Sequence, residues 1–229
     1  KQVTARRVRQ RIAAVLDWAH AKGYRPGEAP MRSVAKGLPK QTKSAGHFAA
    51  MPYANVPAFM GKLAAAETIG RLALRFTILT AARSGEVRGA TWGEVDEEAS
   101  VWTVPGSRMK AGKTHMVPLS RAALAVLQRA KDLRGGSAGD FVFPSPRGGA
   151  LSDMTLGKVL HAACGKDFTV HGFRSSFRDW AAEQTATPGD VVEAALAHTV
   201  SNKVEAAYRR TNYLEKRRDL MNAWAEFAA

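Results

Sequence analysis

Cysteine is almost absent from this chain, since Cys164 is the only one in 229 residues. A single thiol excludes an internal disulfide and every metal site built from several thiolates. No stretch is long and apolar enough to span a bilayer, and no secretory signal opens the sequence. These absences predict a folded protein of a reducing, bacterial cytoplasm, with no membrane partner.

Acidic residues are also scarce. Asp and Glu number 20 against 34 Lys and Arg, which leaves a formal charge of +14 and a pI near 10.3. Residues 1–50 carry +9 of that excess, with eleven basic and two acidic side chains. Such a charge attracts polyanions at long range and through counterion release, so nucleic acid is the predicted partner. A solvated basic helix and an anionic membrane surface are the alternatives.

The N-terminal segment has two parts of different composition, a helical part and a part rich in proline and glycine. Val8, Ile12 and Val15 recur at helical spacing with arginines on the other faces, which predicts an amphipathic helix that binds DNA. Between Gly23 and His47, prolines and glycines interrupt the pattern and predict a linker, so domains are expected at 1–46 and 47–229. Because the chain begins with Lys1 inside a helix, we expect a further module upstream. The basic side chains expected on DNA here are Arg6, Arg7, Arg9, Arg11, Lys40 and Lys43.

The remainder of the chain predicts an α+β fold that is mostly α-helical. Two strands, 101–104 and 115–119, flank a turn rich in Gly and Lys and predict a small antiparallel sheet, with a short extended piece at 141–143. Apolar periodicity predicts helices near 55–66, 68–82, 85–92, 120–133, 152–163, 171–184, 188–197, 201–209 and 213–227.

The turn between the two strands ends in Gly-Lys-Thr, like a nucleotide-binding loop. Gly106 and Gly112 enclose five residues rather than four, and a strand follows, so the spacing argues against that loop. A lysine at a hairpin tip can instead reach a phosphate and protonate a leaving oxygen. Lys110 and Lys113 both fit that role, and an ordinary solvated turn lysine is the alternative.

Two arginines lie in sequence contexts that would suit binding of a phosphate group. Arg83 stands at a junction between helices with Glu86 near enough to orient it, although a surface ion pair would give the same pattern. His171 and Arg174 lie one helical turn apart and share a face. A guanidinium offers a planar fork of donors to phosphate oxygens, and an imidazole can donate a hydrogen bond or move a proton.

A histidine and a tyrosine close the series. His198 precedes Tyr208 by ten residues, and Arg209 and Arg210 follow the tyrosine directly. A phenol with a pKa near ~10 is a poor nucleophile unless cations stabilise its oxyanion. On its own, Tyr208 would be a packing residue.

In chain order these residues resemble the Arg, Lys, His-x-x-Arg, His/Trp and Tyr series of the tyrosine recombinase (phage integrase) family. The similarity extends through Ala-Leu-Ala-His, Lys-Val-Glu-Ala-Ala-Tyr-Arg-Arg and residues 213–218, a pattern typical of prophage and genomic-island integrases. It covers about residues 50–229, the catalytic domain of the family, while the first 45 residues resemble the end of its helical core-binding domain.

The resemblance implies that DNA is cleaved and rejoined through a 3′-phosphotyrosine, with neither metal nor nucleotide as cofactor. Two arginines would clamp the scissile phosphate, Lys110 would be the general acid, and Glu86 would support the site. Tyr213, five residues past the expected nucleophile, is a rival for that role. The implied catalytic residues are Arg83, Lys110, His171, Arg174, His198 and Tyr208, and further DNA contacts are expected from Arg108, Lys113, Arg209 and Arg210.

The implied partners are double-stranded attachment sites in nucleoid DNA, with DNA-bending and directionality proteins. A monomer in free solution and a homotetramer on paired sites are expected. The apolar stripe of residues 214–227 fits packing on either its own domain or a neighbouring protomer. A type IB topoisomerase, which reseals the same strand, and a non-catalytic DNA-binding protein are the alternative functions.

Overall fold

A computed structural model describes residues 2–38, 49–134, 139–198 and 211–229. The chain divides into two compact units, Lys1–Gly46 and His47–Ala229. No helix in the described ranges is long and apolar enough to cross a membrane.

Within its described residues, 2–38, the first unit contains two helices, α1 (Gln2–Ala21) and α2 (Met31–Gly37). Asp17 accepts a hydrogen bond from the Ala29 N–H at 2.9 Å, which ties the connection between the helices back to α1. The predicted helix is present, but the side chains of its apolar stripe, Val8, Ile12 and Val15, are 49–63% exposed rather than buried. The linker expected from residue 23 onward was wrong in part, because α2 lies within it, and no side chain of that short helix is buried.

The second unit is built from eight described helices around a small sheet. They are α3 (Val56–Ala64), α4 (Ile69–Thr80), α5 (Ser84–Arg88), α6 (Arg121–Arg134), α7 (Thr155–Cys164), α8 (Gly172–Gln184), α9 (Gly189–Ala195) and α10 (Leu214–Ala228). Three strands pair antiparallel in the order β1-β2-β3: β1 (Val95–Asp96), β2 (Val101–Val104) and β3 (His115–Pro118). Trp102 faces Val117 in the β2–β3 register. The mostly helical α+β prediction is confirmed.

Helix α4 is the centre of the core. The hydroxyl of Thr68 caps its first turn by accepting the Arg71 N–H at 3.3 Å. Leu72, Phe76 and Leu79 are each about 1% exposed, and Phe76 packs on Trp102 of the sheet with ring centroids 5.4 Å apart. Burial of side chains of this size supplies most of the stability of such a domain.

Helix α10 packs against its own chain. The Trp224 indole N–H donates to the Ile78 carbonyl at 2.9 Å, and the ring is fully buried. Phe177 and Trp180 of α8 surround it at centroid distances of 5.6 and 5.1 Å. Of the two placements that the apolar stripe allows, the structure therefore has the intramolecular one.

The predicted helices and strands agree with the structure in type more closely than in their residue bounds. The helix expected at 85–92 is shorter, because α5 ends at Arg88 and a 3₁₀ turn, Trp92–Glu94, follows. Strand β1 was not predicted, and the expected extended piece forms only an isolated bridge from Phe141 to Thr91. The helix expected at 201–209 lies outside the described residues.

Candidate active site

Arg83 is held at the start of α5 by a buried acid. Its Nη1 donates to Glu86 Oε1 at 2.8 Å, while the other carboxylate oxygen of Glu86 accepts the Arg83 backbone N–H at 3.0 Å. Glu86 is only 4% exposed, whereas the Arg83 side chain is 24% exposed. The guanidinium also reaches across the fold, with Nη2 donating to the Ala197 carbonyl at 3.3 Å. The pair is thus a directed contact rather than a solvated surface ion pair.

Arg174 lies deeper, between two helix ends. Its Nη1 donates to the carbonyl of Ala81, just past α4, and its Nη2 donates to that of Leu196, just past α9. Carbonyls at helix C-termini carry the negative end of the helix dipole, so they suit a buried cation. Each Nη carries a second N–H, and Nη2 has His198 Nε2 as a further partner at 3.2 Å.

His198 joins the same group. Its Nε2 lies 3.2 Å from Arg174 Nη2, and its Nδ1 lies 2.5 Å from Glu193 Oε2. The other oxygen of Glu193 accepts from Arg178 Nε at 2.7 Å. Arg174 is 5% exposed, whereas the side chain of Arg178, one turn further along α8, is 60% exposed.

An open cavity of about 540 Å³ brings these elements together. It is lined by Arg83, Lys110, Ala111, His171, Glu193, Ala197 and His198. These residues come from four places in the fold: the α4–α5 junction, the β2–β3 turn, the start of α8 and the end of α9. Four positively charged or titratable side chains proposed from sequence therefore share one cavity. Lys113 is exposed on the same turn but does not belong to that lining.

Electrostatics in the cavity favours an anion. Burial, with the charges of Arg174, Arg83 and His198, lowers the pKa of His171. Burial and the charge of Arg83 likewise lower the pKa of Arg174 to about 10, so that it remains a cation at neutral pH. Burial is the larger cause of both shifts and the neighbouring positive charges are the smaller one, which a bound phosphate would offset.

The side chains expected to bind DNA have different environments. Arg7 and Arg11 are exposed on α1, while Arg6 and Arg9 are half-buried. Arg108 is engaged within the domain, donating to Glu94 and, at 2.7 Å, to the Glu86 carbonyl. Outside the described residues lie Lys40, Lys43, Tyr208, Arg209 and Arg210.

Two residues near the cavity were not singled out from the sequence. Glu193 precedes His198 by five residues, and no glycine or asparagine between them marks the helix end that pairs them. His115 stands on β3, where burial and the charge of Arg217 lower its pKa to about 4. No group of three or more His, Cys, Asp or Glu side chains within the described part of the chain could hold a metal ion.

The chain matches known proteins over nearly its whole length. The model of the phage integrase family matches residues 51–215. The prophage integrase IntA of Escherichia coli K12 is 35% identical, over 97% of this chain and 54% of that protein. The integrase of enterobacteria phage P4 is 31% identical, over 99% of this chain and 55% of that protein. The chain thus spans about half the length of these relatives.

Solved structures share the fold. A lambda integrase dimer bound to a COC′ core site has a TM-score of 0.59 at 18% identity, covering 86% of this chain and 72% of that one. A lambda integrase tetramer bound to a Holliday junction has a TM-score of 0.60 at 18% identity, covering 84% and 58%. The mostly helical unit with its three-stranded sheet is therefore the catalytic fold of tyrosine recombinases, and the chain belongs to the phage integrase family.

Proposed function

We propose that this chain is the catalytic part of a site-specific DNA recombinase that cleaves and rejoins strands through a covalent bond to Tyr208. The observation that carries the proposal is the shared cavity, which is lined by Arg83, Lys110, His171 and His198 although the first and the last are 115 positions apart in the chain. Arg174 is bonded to the edge of that cluster through His198. A phosphate diester fits such a cavity in charge and in donor geometry.

In the first step the phenol oxygen of Tyr208 attacks the scissile phosphorus. A bond from phosphorus to tyrosine forms as the bond to the 5′ oxygen breaks, which leaves a 3′-phosphotyrosine and a free 5′-hydroxyl. Arg83 and Arg174 bind the non-bridging oxygens and stabilise the charge of the pentacoordinate transition state. Their fixed carbonyl and carboxylate partners keep them oriented before DNA arrives, so little reorganisation is needed.

Two groups handle protons. Lys110 delivers a proton to the departing 5′ oxygen, and His171 assists proton transfer to or from Tyr208. The lowered pKa of His171 supports this role, because a neutral imidazole is the form that accepts a proton. Glu86 holds Arg83, and His198 donates a hydrogen bond to the same phosphate.

In the second step the 5′-hydroxyl of another strand attacks the phosphotyrosine and restores a diester. One phosphoester replaces another at each step, so the bond energy is retained and neither ATP nor a metal ion is required. Exchange of strands between two sites, rather than resealing of one, distinguishes this reaction from that of a topoisomerase.

At the level of the whole protein, we propose integration or excision of a prophage or genomic island. The relatives named as prophage and phage integrases support this role. Residues 1–46 would be the end of a core-binding domain whose basic side chains grip the DNA backbone, aided by Lys40, Lys43, Lys113, Arg108, Arg209 and Arg210. We expect a free monomer, a tetramer on paired attachment sites and accessory bending and directionality proteins, all acting at the bacterial nucleoid. The dimer and tetramer assemblies of lambda integrase on DNA support such a partner set.

The test is formation of a covalent adduct. The chain, its Tyr208→Phe variant and its Tyr213→Phe variant are incubated in chelator with nicked DNA that carries the attachment core, then run on a denaturing gel. We expect an adduct that survives chelation and disappears only in Tyr208→Phe.

Tyr213 is the matched control, because its partly buried ring packs against the core where α10 begins. An adduct lost only in Tyr213→Phe would move the nucleophile to that residue. If the full-length protein also formed no adduct, DNA binding without catalysis would replace the proposal.

A further inference from the structure

Glu193 is an acid in the cavity to which the reaction above gives no role. Its side chain is 33% exposed, and its two oxygens have different partners. Oε1 accepts from Arg178 Nε at 2.7 Å, and Oε2 lies 2.5 Å from His198 Nδ1. Arg178 thus fixes the carboxylate on one side, and the carboxylate in turn contacts the imidazole on the other.

The backbone brings the same two residues together. The His198 N–H donates to the Glu193 carbonyl at 3.0 Å, and the Ala197 N–H donates to the Ala194 carbonyl at 3.1 Å. Ala197 has a left-handed φ of 49°. These are the two hydrogen bonds of a Schellman cap, which turns the chain back over the last turn of α9. The Glu193–His198 contact is therefore built into the end of the helix.

The far side of the imidazole faces the proposed phosphate site. His198 Nε2 lies 3.2 Å from Arg174 Nη2, and the ring is part of the cavity wall. An imidazole whose Nδ1–H is taken by a carboxylate presents its Nε2 in one orientation, because the partner of one ring nitrogen sets the state of the other. Without that carboxylate, rotation of the ring exchanges the two nitrogens.

Glu193 carries its negative charge at neutral pH. Burial raises its pKa, but hydrogen bonds from Arg178 and His198 outweigh burial and hold the pKa below its ordinary value. An ionised carboxylate accepts the Nδ1–H more strongly than a neutral acid does. The neutral ring with its proton on Nδ1 can only accept at Nε2, so donation from Nε2 to a phosphate oxygen uses the doubly protonated ring.

We propose that Glu193 is the positioning residue for His198, holding the imidazole so that Nδ1–H points to α9 and Nε2 points to the scissile phosphate. The inference rests on the proposed function, because it assigns Glu193 through the role of His198 in strand cleavage. Glu193 itself forms no bond to DNA, and its effect is transmitted through the imidazole.

The first measurement needs no DNA. In the ¹⁵N-histidine-labelled chain, long-range ¹H–¹⁵N spectra report which ring nitrogen of His198 is protonated, with the signals assigned by their absence in His198→Gln. We expect the neutral ring to be protonated mainly at Nδ1 in the wild-type chain. That fraction falls in Glu193→Ala, where no carboxylate accepts the proton.

The second measurement is single-turnover cleavage of nicked attachment-core DNA. We expect the rate at saturating DNA to fall about tenfold or more in Glu193→Ala, by analogy with metal-binding histidines that lose a carboxylate partner. Half-saturation by DNA is expected to change less than about twofold, because the phosphate-binding arginines are untouched. Glu193→Gln, which keeps the size and the acceptor oxygen, restores part of the rate and guards against a simple folding defect.

Glu183→Gln is the matched control, since this exposed acid bonds Tyr53 at 2.7 Å and is not part of the cavity lining. It is expected to cleave at the wild-type rate. Wild-type cleavage in Glu193→Ala, or an unchanged His198 tautomer there, would overturn the positioning inference while leaving the proposed function intact. A wild-type chain and full-length protein that form no adduct would overturn the proposed function, and the positioning role with it.

Discussion

At the scale of single residues, the proposed site is arranged by fixed partners for its cations. Arg83 is tied to a buried carboxylate, and Arg174 to two carbonyls. A buried charge without partners costs several kcal/mol, so these contacts are what permit two guanidinium groups so near each other. Lys110 differs, because it is exposed on the turn between β2 and β3. An exposed lysine keeps the freedom to move toward a leaving group.

An experiment on the leaving group distinguishes Lys110 from Lys113 as the general acid. We expect Lys110→Ala to lower single-turnover cleavage by roughly 10²-fold or more, the range for loss of a general acid. Lys113→Ala should change it only a few-fold. A substrate with sulfur in place of the 5′ bridging oxygen should restore the rate of Lys110→Ala, because a thiolate leaves without being protonated. Equal loss in both variants, with no restoration by sulfur, would contradict the assignment.

His115 predicts a pH dependence of stability. Burial and the nearby Arg217 lower its pKa from 6.5 to about 4, so the unfolded chain binds this proton more readily than the folded chain. The contribution of a neutral His115 is therefore fully present above about pH 6.5 and is lost as the pH falls toward 4. Between pH 7 and pH 5 this single group should cost about 2 kcal/mol of unfolding free energy.

Denaturant unfolding of the wild-type chain and of His115→Gln at both pH values measures that cost. The difference between the two pH values should shrink by about 2 kcal/mol in His115→Gln. His161→Gln removes an exposed histidine as the control and should behave like the wild type. Identical pH dependence in all three proteins would show that His115 is not the group responsible.

At the scale of elements, helix C-termini shape the cavity. Both α4 and α9 are followed by an alanine in the left-handed region, Ala81 and Ala197, each with φ of 49°. The carbonyls at these two ends accept from Arg174 and Arg83. A non-glycine residue in that conformation is strained, and it persists here where the arginine contacts fix the backbone.

Ala197→Gly tests that strain. Glycine adopts positive φ without the steric cost of a Cβ, so we expect the unfolding free energy to rise by roughly 0.5–1 kcal/mol despite the greater entropy of the unfolded chain. Ala194→Gly, three residues earlier and within α9, should lower it by about 1 kcal/mol. Chemical denaturation compares the two, and the same sign for both substitutions would contradict the left-handed cap.

At the scale of the whole molecule, basic residues are distributed unevenly along the chain. Within the described ranges, some of them form ion pairs with acidic side chains and others do not. Arg7 and Arg11 are exposed on α1. Arg129 and Lys131 on α6 instead pair with Glu67, Asp132 and Glu97. Paired surface charges contribute little to attracting DNA, so the unpaired arginines of the first unit are expected to carry more of it.

The salt dependence of DNA binding measures this difference. Each phosphate contact contributes about 0.9 to the slope of log K against log salt concentration. The double variant Arg7→Ala, Arg11→Ala should therefore reduce the slope by about 1.8 in anisotropy titrations on duplex DNA. Arg129→Ala, Lys131→Ala removes the same charge and should leave the slope unchanged. A larger effect from the second pair would place the DNA-binding surface elsewhere.

The sequence by itself determined the features that depend on neighbours along the chain. Apolar periodicity predicted the helix at 171–184, in which Phe173, Phe177 and Trp180 are at most 4% exposed. Two short runs around a turn rich in Gly and Lys predicted the β2–β3 hairpin, and the excess of basic residues indicated a polyanionic partner. The ordered series of Arg, Lys, His and Arg residues indicated the family. The helices and strands could be predicted from the sequence because their periodicities involve only residues close together in the chain.

Only the tertiary structure decided which distant groups meet. Arg174 reaches Ala81 across 93 positions, and Arg83 reaches Ala197 across 114. Such contacts follow from how helices pack, which no local period encodes. The choice of Lys110 over Lys113 for the cavity and the packing of α10 on its own domain belong to the same class. In each case the distance between two groups in the folded chain decides the contact. That distance is fixed by the packing of buried side chains that are far apart in the sequence.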